Sequence, residues 1–116
     1  MTINDSRVID WLGIERGTGF VVLTIADDQD WTDEDKHIEL LQEKLNTYLS
    51  FIESGEVFER LEQEVGRSVP VSTPIKISVL AQFALPHRAK EFFEYARTAI
   101  HDAGFELTFK VVRAPS

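Results

Sequence analysis

Residues 20–55 read FVVLTIADDQDWTDEDKHIELLQEKLNTYLSFIESG, and this stretch decides the fold because its hydrophobic period changes halfway. Phe20 to Ala26 is almost continuously apolar and rich in β-branched residues, the pattern of a central strand covered on both faces for much of its length. From Asp33 to Ser54 the period becomes helical, with Ile38, Leu41, Leu45, Leu49 and Ile52 recurring on one side. His37, Leu40, Tyr48 and Phe51 widen that stripe beyond the roughly 100° arc of an ordinary surface helix, so the helix is expected to touch something besides the sheet: the other helix, the following segment or a dimer partner. Glu39, Gln42, Glu43, Asn46, Ser50 and Glu53 hold the opposite side, and Gly55 ends the helix in the left-handed conformation. Between strand and helix lies an acidic connector, Asp27 to Asp35. Thr32 followed by Asp35 is expected to act as a variant capping box, with Asp33, Glu34 and Asp35 suiting the positive helix start.

Working outward, Val8 to Ile14 reads as a first strand, joined to the second by a Glu15–Gly19 hairpin loop with two glycines free to take positive φ. Glu56 to Val65 is a candidate short helix with Val57, Phe58, Leu61 and Val65 on one side. Residues 66–74, with two prolines, form a loop. Ile75 to Phe83 alternates strictly, Ile75, Ile77, Val79, Ala81 and Phe83 facing one way. Pro86 to Gly104 frames another helix, with Ala89, Phe92, Phe93, Ala96, Ala99, Ile100 and Ala103 inward. Phe105 to Val111 alternates again, turning Glu106, Thr108 and Lys110 outward. The order β-β-α-(α)-β-α-β implies an α+β fold: a two-layer sandwich of a four-stranded mixed sheet with two main helices on one face. One domain is expected over residues 1–116, with 1–6 flexible and 113–116 a tail.

Composition narrows the function. There is no Cys, which excludes disulfides, thiolate nucleophiles and Cys-zinc sites. No stretch approaches the ~20 apolar residues of a membrane span, and the N-terminus lacks a signal-peptide pattern, so a cytoplasmic protein that avoids membranes is expected. The formal charge of −8 repels nucleic acid and suits either simple solubility or a basic protein partner.

The chemical motifs fall short of a site. Read as a calcium loop from Asp28, the connector places Asp30, Thr32, Glu34 and Glu39 at ligand positions but puts Asp33 where glycine is needed. Glu34 and His37 have the helical Glu-x-x-His spacing of di-metal carboxylate proteins, without the second copy such a site requires. His87 and His101 have no convergent groups, and no Gly-x-Ser-x-Gly elbow or helix-opening glycine loop occurs. We therefore expect no catalytic residues, no metal and no cofactor. Asp10 and Asp27 could approach across the hairpin as a carboxylate pair, though an exposed edge position is the simpler account of Asp10. Trp31 either caps the helix entry or anchors a partner, and Trp11 is similarly ambiguous. The candidate binding residues are Asp27, Asp28, Asp30, Trp31, Asp33 and His37.

The segments VIDWLGI, VVLTIADDQDW and HIELLQEKLNTYLSFIESGE together resemble a small family of bacterial proteins of unknown function. The similarity covers Val8 to Glu56, then resumes with the strand at Ile75 and the helix from Pro86 to AGFEL; Glu62 to Pro74 is longer than the pattern. The resemblance implies a bacterial, cytosolic origin and a shared fold, and no activity. Three expectations follow: a non-enzymatic module for a basic protein partner, immunity- or antitoxin-like in kind; a self-associating structural or regulatory domain, such as a homodimer; or a small-ligand binder or enzyme using the connector, Asp10 and His37.

Overall fold

A computed structural model of the chain describes residues 9–112. The expected flexible segment 1–6, the tail 113–116 and Val8 lie outside the described residues. Four strands and three helices follow in the order β1 (Trp11–Ile14), β2 (Val21–Asp27), α1 (Glu34–Glu53), α2 (Glu56–Val65), β3 (Ile75–Ala81), α3 (His87–Asp102) and β4 (Glu106–Val111). This is the expected α+β order, with the short helix formed. The strands lie in the sheet in chain order, β1-β2-β3-β4. β1 runs antiparallel to β2 across the hairpin, where Gly17 and Gly19 take φ of 90° and 75°. β2, β3 and β4 are mutually parallel.

The two parallel connections, β2-α1-α2-β3 and β3-α3-β4, step in the same direction across the sheet. Connections of one hand that do so lay their helices on one face, and the burial pattern agrees. The ladder rows Leu12–Leu23–Ile77–Leu107 and Ile25–Val79–Phe109 line the helix side, and of these only Phe109 is not fully buried. The rows Trp11–Thr24–Ser78–Thr108 and Val22–Lys76–Glu106 line the other side, which no element covers among the described residues.

Several expectations need correcting. β2 is central but enclosed on one face only: Val21, Leu23, Ile25 and Asp27 are buried, while Val22, Thr24 and Ala26 are half-covered. β1 is shorter than the expected strand, and β3 stops at Ala81, leaving Phe83 exposed beyond it. On α3 the inward set contracts to Ala89, Phe93, Ala96 and Ile100, with Ala99 and Ala103 exposed. Trp11 is 68% exposed on the open face. The wide stripe of α1 is explained by its neighbours, since the helix contacts both α2 and α3 as well as the sheet.

Candidate functional site

α1 begins one residue later than expected and is capped differently. Asp33, not Thr32, is the N-cap, and its Oδ1 accepts from the Lys36 backbone N–H at 3.1 Å. An Asp in this position satisfies one of the donors a helix start leaves unpaired. The connector before it is held by similar short bonds. Asp30 Oδ1 accepts from the Thr32 N–H, and that bond holds the Asp30 carboxyl below the usual range. Asp28 Oδ1 accepts from the Gln29 side-chain amide.

Beneath the connector is a buried polar pair. Asp27, the last residue of β2, and His37, in the first turn of α1, are 2% and 3% exposed, and Asp27 Oδ2 lies 2.7 Å from His37 Nε2. His37 Nδ1 is 2.9 Å from the Asp30 carbonyl oxygen. A carbonyl can only accept, so Nδ1 carries a proton and the ring's tautomer is fixed. One further proton lies in the Asp27–His37 bond, on the imidazole in the ion-paired form and on the carboxyl in the neutral form. Burial pushes the Asp27 carboxyl up, and the bond to His37 pulls against it. The remaining Asp27 oxygen accepts from the Gln29 N–H. Trp31 closes the pair from above, its ring stacked on His37 with centroids 3.6 Å apart and planes 13° from parallel. Its Nε1 is enclosed without a hydrogen-bond partner among the described residues.

A second buried network lies further along α1. Lys44 is fully buried, its Nζ 2.9 Å from Asp10 Oδ1, while Asp10 Oδ2 accepts from the Ala26 N–H. Tyr48, one turn on, donates its hydroxyl to the Thr24 carbonyl at 2.6 Å and accepts from the Asp10 N–H at 2.8 Å. Burial pushes the Tyr48 phenol up, so it stays a donor throughout the ordinary pH range. Residues 37, 41, 44, 45, 48 and 52 share the buried face of α1, so its polar groups are interleaved with Leu41, Leu45 and Ile52.

The expected site residues thus divide. Asp27, Trp31 and His37 come together beneath the connector, and His37 is buried. Asp28, Asp30 and Asp33 remain exposed on the connector above. Asp10 is not an exposed edge residue: its side chain is 5% exposed and points to Lys44, not to Asp27. Lys44 and Tyr48 were absent from the sequence-derived site. Their signal was available, because a lysine on the apolar stripe of a helix and an aspartate in an apolar strand are complementary charges that each interrupt a buried face.

Elsewhere, the described residues contain no group of three His, Cys, Asp or Glu side chains placed to hold a metal ion, and no helix long and apolar enough to cross a membrane. Residues 1–113 match the model of a family of unknown function, DUF6572. The chain belongs to that family. No curated protein and no solved structure matches it. The membership of this DUF6572 chain brings a shared pattern over nearly its whole length and no named activity, so any functional reading rests on the geometry above.

Proposed function

We propose that the protein is a non-enzymatic protein-binding module of the bacterial cytosol whose acidic connector engages a basic partner, in the manner of an immunity protein or antitoxin. One observation carries the reading: the charged groups are sorted by role. The acid–base groups of the two buried networks are closed off and consume one another. Both ring nitrogens of His37 are engaged, both oxygens of Asp10 accept bonds, both oxygens of Asp27 are occupied, and the Tyr48 hydroxyl both donates and accepts. A general base needs a free atom within reach of a substrate proton. By contrast Asp28, Asp30 and Asp33 are exposed and in no ion pair among the described residues.

These three carboxylates stand on backbone clamped from below by Asp27, His37 and Trp31. A clamped acidic surface loses little freedom on binding, and opposite charge steers a basic partner onto it. The test is capture of partners by the tagged protein from its native cells, washed at low and then high salt, alongside the triple variant D28N/D30N/D33N. The Asn at 33 keeps a capping side chain, so folding is preserved. A basic protein held at low salt, released at high salt and lost by the triple variant is the expected result. Binding indifferent to both salt and the triple substitution overturns the reading.

A further inference from the structure

The sheet has two edges, and they are unequal. β1 is four residues long, whereas β4 is six and contains neither proline nor glycine. Among the described residues β4 pairs with β3 alone, so the backbone groups along its other side face outward. Proteins usually blunt such an edge with a short strand, a proline, a cover or a charge. Among the described residues the only such device on this edge is a pair of charges, and they have opposite signs. Glu106 and Lys110 lie on the open face two residues either side of Thr108; both are exposed, and neither forms an ion pair among the described residues.

We propose that the β4 edge is a homodimerisation surface on which a second copy of this chain adds antiparallel, Thr108 facing Thr108, to make one continuous eight-stranded sheet. The pleat restricts the choice of register. Residues directly opposite in an antiparallel pair point to the same side, so registers that pair an odd with an even position are excluded. Among those that remain, only the one centred on Thr108 sets Glu106 against Lys110 of the second copy, and by symmetry Lys110 against Glu106. The same register sets Leu107 against Phe109 on the helix side. Phe109 is only half-buried in the single chain and lines an open groove of about 510 Å³ with Leu85, Phe93 and Leu107. Strand addition would cover that groove from its open side. A two-fold axis normal to the sheet keeps both helix layers on one side, and it leaves the acidic connectors free for the partner proposed above. β1, with the sequence Trp-Leu-Gly-Ile, offers no such self-complementarity.

The experiment is light scattering on the full chain over a concentration series to about 1 mM, where interfaces of one strand pair are populated. The wild type is expected to shift from monomer to dimer. K110E and E106K each put like charges opposite each other twice in the interface and should weaken the dimer about tenfold or more. The double swap E106K/K110E restores opposite pairs and should restore the dimer. Both positions are exposed, so circular dichroism should show the variants folded. Because the chain has no cysteine, T108C under mild oxidation should cross-link copies through that one position. A wild type that stays monomeric overturns the proposal. A dimer indifferent to either single swap, or one the double swap fails to rescue, overturns it in favour of another face. Neither result bears on the salt-dependent capture, which reads the connector.

Discussion

The two parallel crossovers are fastened to the sheet by different chemistry. α3 is held by Ala89, Phe93, Ala96 and Ile100, with Phe93 edge-on to Phe109 of β4. α1 buries His37, Lys44 and Tyr48 among its leucines, and each reaches a specific atom on or beside β2 or β1. Apolar packing is non-directional and tolerates small slides. A buried hydrogen-bonded pair does not, because a shift of one residue would strand a charge out of reach of water. The difference teaches that α1 is locked in register and α3 is merely seated. The registered helix is the one that carries the acidic connector.

The largest effect should come from breaking the lock. Lys44→Met leaves the Asp10 carboxylate buried opposite an apolar side chain, and should cost about 3–5 kcal/mol in urea denaturation. Adding Asp10→Leu should recover part of that loss, since replacing both charges removes the stranded one. An equal loss on α3 from a substitution of matched volume would erase the contrast between the crossovers. Next in size is a paired test of polarity against volume. Tyr48→Phe keeps shape but orphans the Asp10 N–H and the Thr24 carbonyl, for about 1–3 kcal/mol. Ile100→Val on α3 removes one methylene, for about 0.5–1.5 kcal/mol.

The smallest effect is a pH trend on the α1 side. The raised carboxyl of Asp27 means that the folded state holds this proton more tightly than the unfolded chain does. Its contribution is therefore fully present below the ordinary Asp range and is lost as pH rises through the folded value. Glu15 has the opposite sign: the hydrogen bond from Lys76 holds its carboxyl low, so its contribution is lost as pH falls. The stability of the wild type relative to Asp27→Asn should thus decline as pH rises above the ordinary Asp range of about 4. Denaturation midpoints of the two proteins across a pH series check it. A difference that grows with pH would mean that the ion-paired form, not burial, governs the pair.

The order of elements and the α+β class were legible because periods of two and of 3.6 leave different marks on a chain. Alternation in Ile75 to Ala81 and the long stripe of α1 did not depend on what lay opposite. The connector's polar residues were legible as a cluster, but not their division. Asp27 and Asp28 are adjacent and alike in sequence, yet one closes on His37 while the other faces solvent. Strand alternation past Ala26 holds the rule that separates them, since Asp27 continues the buried face of Val21, Leu23 and Ile25. Asp10 similarly shares a face with Leu12, and only the partner made its charge tolerable there.

By itself the sequence determined where the chain extends, coils and turns, and that the charge is −8. Those properties come from near neighbours and composition. Tertiary structure alone decided the strand order, the pairing of Asp10 with Lys44 across 34 residues, the enclosure of His37, and which strands form the edges of the sheet. The reason is physical. A buried charge is forbidden or required according to what stands within about 3 Å of it, and that neighbour is set by the path of the whole chain.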